Sequence, residues 1–443
     1  MSVFRITKFL PPKAVTNKFA ATWLKSIFKV LGSQVLLQII GFGTSILLVR
    51  EMPKTDYAIY TVLFSIQAML NILSDSGIMI GFNAIGGKVW QNKTEFASLL
   101  KTVAYIRNRA TIIAFVFTSI YGASVLMRQG ATPLQTTLFI LSLLLIVFPE
   151  VYKSFIQQAL LIRKEIGNVQ IASILYQGSR LFLIIAAFIL FDSGLTIYLV
   201  LGVTVLSVWL SALFILDKSK HIRVQAAEVD LNYKSTLFRY LKLNWHNALF
   251  FSFQGQISIF LLGLLGTTSN LAEIGALSRF SIVYTVLLAL VSNIIGPGFG
   301  RCQEKANMVS IYALVLMSIC AFTGLTLLLA HLFPFAFLWV LGEQYQHLSH
   351  ELFLILVGSS ISLAASAIFN LNSYKGWIAF TPVWEIPVNL ISLTVGALLF
   401  DLSTLTGVIS LSIIGASTNL VLYLTNSVVG FKQAGAIVNN QGI

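Results

Sequence analysis

Acidic side chains are scarce in this chain. Its 443 residues hold 16 Asp and Glu, and charged residues of both signs make up only 10%. A soluble protein is about a quarter charged. At 57% hydrophobic and a mean hydropathy of +0.85, a water-soluble fold of this length could not hide its apolar surface. Lipid is the implied solvent. Cysteine is nearly absent: Cys302 at a helix end and Cys320 inside an apolar run make no disulfide framework. Long polar tracts are missing too. No connection between apolar runs exceeds 217–242, so no separate catalytic domain is expected. The sequence has no P-loop pattern and no serine elbow, hence no ATP engine, and the protein is expected not to be an enzyme and to need no cofactor. His347 and His350, in "HLSHE", offer too few ligands for a metal site and are expected on a solvated outer loop.

What the chain does have is apolar runs of membrane-spanning length, about 20 residues each. Twelve are expected, near 30–49, 57–83, 104–127, 135–160, 168–191, 195–216, 243–265, 272–296, 308–331, 351–371, 378–400 and 404–428. The fold class is therefore an all-α integral membrane protein of about twelve transmembrane helices in two six-helix lobes. The expected layout is a basic amphipathic lead-in over 1–29, in place of a signal peptide, an N-terminal lobe over 30–216, a basic linker over 217–242, a C-terminal lobe over 243–428 and a tail over 429–443. Each lobe opens with a glutamine-bearing span: Gln34 and Gln38 in one, Gln254 and Gln256 in the other.

The net charge is +13, but a nucleic-acid partner is not expected, because the Lys and Arg sit at the ends of apolar runs. Of the 29, only Arg50, Lys54 and Arg128 fall in outer connections, and only Lys153, Arg180 and Arg279 fall within spans. The rest collect on one side, which places both termini in the cytoplasm.

Ionisable groups inside spans cost about 2.5–3.5 kcal/mol each on insertion scales, so they mark a bundle interior, water or a partner. Asp75 lies on the second span and either caps a bend beside Gly77 or serves function. Glu150 and Lys153, three apart on the fourth span, either neutralise each other or meet a substrate. Glu385 sits between Pro382 and Pro387, where a proline-broken ladder invites hydration. Arg180 and Arg279 have no acid in their own sequence neighbourhood. A guanidinium stays charged, so each needs an acid on another helix or a phosphate, which Arg grips with a bidentate fork.

Three stretches carry a family resemblance. In "GFGTSILLVREMPKTDYAIYTVLFSIQAMLNILSDSGI" (41–78), a glycine-rich span ends at Arg50, a Tyr-rich turn follows with Tyr57 and Tyr60, and the next span closes on Asp75-x-Gly77. In "FPEVYKSFIQQALLIRKEIGNVQIASILYQGSRLFL" (148–183), Pro149, Glu150, Gln157 and Gln158 mark the passage from fourth to fifth span, with Lys153 at a position where an apolar residue is common. In "FLWVLGEQYQHLSHELFLIL" (337–356), Gly342 and Tyr345 form an outer Gly-x-x-Tyr element. Together these resemble the polysaccharide-flippase (Wzx) branch of the multidrug/oligosaccharidyl-lipid/polysaccharide exporter superfamily. That resemblance implies two lobes around a central cavity, alternating exposure of the cavity, and movement of an undecaprenyl-pyrophosphate-linked oligosaccharide, an O-antigen or capsule unit, between leaflets of a bacterial inner membrane. A polysaccharide polymerase and a chain-length regulator are the expected protein partners.

On this view Arg50, Lys153, Arg180 and Arg279 would supply a cationic path for the pyrophosphate. Gln38, Gln256 and Asn389 would meet sugar hydroxyls. Coupling to a H⁺ or Na⁺ gradient would run through Asp75, Glu150 or Glu385. Arg50, at the end of the first span, would sit at an outward-facing mouth, while Lys54 would pair locally with Glu51 or Asp56. A cation-coupled multidrug antiporter of the same superfamily is the alternative, expected to line its cavity with acids and aromatics. A polymerase or acyltransferase of envelope polysaccharide assembly is a third.

Overall fold

A computed structural model describes residues 17–75, 77–190, 194–222, 228–302, 304–378 and 380–440. Among them there are helices and no strands. The N-terminal half holds α1 (Asn17–Glu51), α2 (Lys54–Asp75), α3 (Ile78–Val89), α4 (Lys93–Arg128), α5 (Pro133–Ile162), α6 (Ile166–Leu190) and α7 (Ile197–Lys218). The C-terminal half holds α8 (Leu231–Gly255), α9 (Ile257–Leu265), α10 (Thr268–Leu277), α11 (Ile282–Leu290), α12 (Gly296–Arg301), α13 (Lys305–Leu332), α14 (Pro334–Leu341), α15 (Ser349–Lys375), α16 (Thr381–Leu399) and α17 (Leu405–Asn440). Among the described residues nine helical segments are long and apolar enough to cross a membrane, ten if α8 and α9 count as one bent span. Helices α1 and α16 occupy the positions of the first and eleventh expected spans.

Local sequence sets the ends and breaks. Asn92 caps α4 by accepting from the Thr94 and Glu95 amides, and Thr132 forms a capping box with Gln135 ahead of Pro133. The second span breaks at Gly77, whose φ of 82° suits glycine. There the Asp75 carboxylate accepts from the Met79 amide at 3.0 Å, so Asp75 caps the bend. Pro149 has no N–H to give the Leu145 carbonyl; the Trp209 indole donates to it instead, at 3.1 Å. The seventh span bends by 61° between α8 and α9. The eighth passes through a 3₁₀ turn at Ser278–Ser281; further along, a π turn at Val291–Ile295 comes just before Pro297, which cannot continue the regular ladder.

The helices gather into two lobes. In the first, α2 packs on α4, and α7 packs on α5 and α6; in the second, α17 packs on α15 and α16. The pairing of fourth with sixth span thus recurs between tenth and twelfth. Large apolar side chains such as Ile113, Phe182 and Leu398 are 69–83% exposed on the outside, as a lipid-facing surface requires. Helix α10 lies against α2 so closely that a Cβ on Gly275 would fall 2.2 Å from the Thr61 hydroxyl.

Some expected boundaries move. The second half of the linker, from Leu231, is helical and is the inner extension of the seventh span, packed on α3, where Tyr240 and Leu237 meet Gly81. The lead-in over 1–29 lies partly outside the described residues, and from Asn17 the chain is already helical and continuous with the first span. The last helix likewise continues through the expected tail to Asn440. The "Tyr-rich turn" is the first part of α2. The stretch before the tenth span contains a short helix, α14, that periodicity does not reveal.

At the end of the bundle bearing the α1–α2 connection, here called the outer end, polar contacts tie the lobes together. Lys54 pairs with Glu273 at 2.7 Å. Gln344 donates to the Val49 carbonyl at 3.0 Å, and Thr268 donates to Gln129 at 2.8 Å. Lys54 therefore does not pair locally: Asp56 accepts from the Ile197 amide at the start of α7, and Glu273 is buried at the interface.

Candidate functional site

Helix α2 carries Tyr57, Tyr60, Thr61, Phe64, Gln67 and Asn71 at three- and four-residue intervals, which puts them on one face. Helix α6 does the same with Ser173, Tyr176, Gln177 and Arg180, and α5 with Glu150, Lys153 and Gln157. Helix α1 adds Gln38. These faces converge on adjoining cavities. One of about 320 Å³ is lined by Gln38, Tyr60, Gln67, Glu150, Arg180 and Arg279, among others. A second, of about 300 Å³, shares Gln38, Glu150, Tyr176 and Gln177 with it and adds Lys153. A third, of about 470 Å³, shares Phe64 and Arg279 with the first and extends into the C-terminal lobe, with Gln256 in its wall.

Arg180 lies about ten residues, roughly 15 Å, from the outer end of α6, so it sits well inside the bundle. It is only 8% exposed. Its guanidinium donates to the Tyr60 hydroxyl at 2.8 Å, and its Nε has no partner. Arg279 donates from Nε to the Tyr57 hydroxyl at 3.1 Å and lies over the Phe64 and Tyr60 rings, 5.1 and 5.8 Å from their centroids. The close α2–α10 crossing at Gly275 brings Arg279 to these tyrosines. Lys153 is 6% exposed and sits 4.3 Å from the Tyr176 ring centroid. Among the described residues no carboxylate forms an ion pair with Arg180, Arg279 or Lys153.

Glu150 and Lys153 thus form no ion pair with each other. The Glu150 carboxylate accepts a hydrogen bond from Gln67 of α2, while Lys153 turns to Tyr176 of α6. An i,i+3 pair contributes only about 0.2–0.5 kcal/mol, and contacts to neighbouring helices outweigh it. The result is a wall of cations with phenols for partners. Phenols solvate a cation without cancelling its charge, so the cavity keeps a positive field.

The other expected residues fall elsewhere. Arg50 is exposed at the outer end, over the Trp339 ring at 5.4 Å; with the lobes joined there, it faces no described cavity. Asn389 is fully buried inside the C-terminal lobe, accepting from Gln254 and donating to Asn419, each at 2.7 Å. Glu385, also buried, accepts from the Tyr423 hydroxyl. Asp75 is occupied by its cap. None of these four lines the cavities described above. The side chain of Gln34 lies outside the described ones. His347 is 3.4 Å from Glu273 and takes part in the outer contact. No group of three His, Cys, Asp or Glu suited to a metal occurs among the described residues.

The sequence reading missed Glu273 and the tyrosine partners of the arginines. Tyr57 and Tyr60 stood out only as a turn motif. Read at helical spacing together with Phe64 and Gln67, they already form one face, which is the signal that could have found them.

No protein-family profile matches this sequence, and no curated protein sequence matches it. Solved structures do. The chain superposes on the inward-facing conformation of a multidrug resistance MATE family transporter of the MOP superfamily with a TM-score of 0.67, at 14% identity, covering 91% of this chain and 96% of the other. For the outward-facing conformation of such a transporter the TM-score is 0.60, at 14% identity, with 92% and 94% covered. A third structure is a MOP superfamily transporter from Pyrococcus furiosus, described as having a binding pocket of reverse polarity that suggests a different function. It superposes with a TM-score of 0.58, at 15% identity, covering 91% and 93%. The chain therefore has the two-lobed MATE-type fold.

Proposed function

We propose that this protein is a membrane transporter that moves an anionic, pyrophosphate-linked oligosaccharide lipid from the cytoplasmic to the outer leaflet of a bacterial inner membrane by alternating access. The observation that carries it is the set of Arg180, Arg279 and Lys153 around adjoining cavities, each without a carboxylate partner. A pyrophosphate crossing hydrocarbon must replace its hydration with charge-assisted hydrogen bonds. Arg180 and Arg279 both line the cavity, and a guanidinium tethered to one phenol keeps further N–H donors that can turn to a phosphate. Against these three cations stands one cavity carboxylate, Glu150. The wall is then left with a surplus of two positive charges, which the two negative charges of a pyrophosphate diester would balance. Such polarity disfavours a cationic drug, for which acids would be expected in the lining.

Two positions of the fold, inward- and outward-facing, are known among its structural neighbours, and the closed outer end here fits the former. Of the three acids considered for ion coupling, Glu150 is the one on the cavity wall, beside the cations. Proton or sodium coupling is assigned to it within this proposal.

The test is to deplete the protein and ask on which leaflet the lipid-linked repeat unit accumulates. Complete units held on the cytoplasmic leaflet are expected. Single units accumulating outside would point to a polymerase, and an unchanged lipid pool to small-molecule export; either result overturns the proposal.

A further inference from the structure

The pyrophosphate position leaves the cavity of about 470 Å³ without an occupant. Apart from Arg279, its wall is uncharged and rich in hydroxyls. Ser258 faces Ser412 at 2.5 Å, and Ser281 faces Ser359 at 2.8 Å. These hydroxyls come from α9, the 3₁₀ turn before α11, α15 and α17. Convergence from four separate segments on one space differs from a small-residue stripe that lets two helices pack. Ser362 and Ser366 continue the α15 face and have hydroxyls without a partner among the described residues. So does the side-chain amide of Gln256, at the break between α8 and α9. Between these groups the wall is aliphatic, as at Ile259, Leu288 and Ile413. Its one charged residue is Arg279, which it shares with the cationic cavity.

That chemistry selects a ligand class. An anion would need more than one cation at the border, and a cation would need an acid. A purely apolar ligand would leave the Ser362 and Ser366 hydroxyls and the Gln256 amide unpaired, at a cost of about 1–3 kcal/mol for each group it buries. A sugar ring offers what the wall lacks: hydroxyl donors and acceptors at its edges and C–H faces between them. The volume of about 470 Å³ falls in the range of sites that bury a drug-sized ligand, roughly 300–1,000 Å³, which a short oligosaccharide matches.

We propose that the C-terminal cavity is the glycan half of the site, holding the uncharged sugars nearest the pyrophosphate on Ser362, Ser366 and Gln256. Because Arg279 borders both cavities, this assignment presupposes the pyrophosphate position proposed above. The phosphates sit at the boundary and the sugars extend into the C-terminal lobe.

The experiment uses the purified full-length protein in lipid nanodiscs and measures binding of three probes. These are a short-chain polyprenyl pyrophosphate, the same lipid carrying neutral trisaccharides, and those trisaccharides free in solution. The wild type should bind the glycosylated lipid more tightly than the bare lipid by about tenfold or more, the equivalent of roughly 1.4 kcal/mol. The double variant Ser362→Leu/Ser366→Leu should lose that gain and keep the affinity for bare lipid, which also reports an intact fold. Gln256→Ala adds no volume and should show the same selective loss on a smaller scale, so a poorly folded leucine variant does not decide the matter. Retention of the full sugar gain in Gln256→Ala and in the leucine variant would overturn the glycan assignment, as would equal losses for bare and glycosylated lipid. If bare lipid fails to bind the wild type, the pyrophosphate position is wrong. The cavity is then judged by the free trisaccharides alone: binding that the leucine variant abolishes upholds it, and no binding overturns it.

Discussion

A guanidinium held by a phenol keeps both its place and its charge. Arg180 on Tyr60 and Arg279 on Tyr57 are arranged in this way, and Lys153 over Tyr176 is a looser version. A carboxylate in place of either phenol would fix the arginine equally well but would spend its field. Arg180→Ala and Arg279→Ala are each expected to slow transport by about ten- to hundredfold, since one hydrogen bond to a charged group contributes roughly 1.5–3 kcal/mol. Lysine at either position should restore part of the rate, because it keeps the charge and loses the fork. Transport into vesicles at matched protein levels measures both, and full activity of both alanine variants would remove the arginines from the site. Tyr60→Phe should cost less, a few-fold, because the ring remains and Arg180 only loses its tether.

At the scale of elements, the α2–α10 crossing decides whether the arginines reach the tyrosines at all. Gly275→Ala forces a methyl group into the Thr61 hydroxyl. Overpacking of this kind costs about 1–3 kcal/mol, and α10 can relieve it only by moving away from α2. Transport should fall by more than the loss of thermal stability would explain, with Thr61→Ala in the same chain restoring much of it. Asp75→Ala gives the opposite pattern. Loss of the cap at the α2–α3 break should lower stability by about 1 kcal/mol and leave transport at matched protein levels near wild type. The break itself is legible in the sequence, because Asp75 and Gly77 announce it by residue type. The crossing is not, because nothing about Gly275 in isolation says which helix will press against it.

For the whole molecule, the outer end is the place where one conformation is held. Glu273 is buried between the lobes, with Lys54 and Ser269 as hydrogen-bond partners and His347 nearby. Removal of one member of a largely buried pair leaves the other unmatched, here at a cost of at most about 3 kcal/mol because Lys54 is partly exposed. Glu273→Gln should therefore shift the population toward an open outer end. In a chain with Cys302 and Cys320 replaced, a cysteine at Ile274, buried in the cavity wall, should react faster with a membrane-impermeant thiol reagent added outside. An unchanged labelling rate would show that this contact does not hold the lobes together.

Lipid as the solvent, the positions of most spans and the presence of arginines inside spans follow from the amino-acid sequence alone. Each depends on averages over about 20 residues or on the fixed charge of a guanidinium, and neither needs a neighbour. Partners are another matter. Successive residues turn by about 100° around a helix axis, so a side chain's address depends on the rotation and crossing of its helix, which the opposite helices set. Only the tertiary structure turned Glu150 and Lys153 apart, sent Lys54 to Glu273 across the lobes, left Arg50 and Asn389 away from the cavities, and gathered serines from four segments around one space.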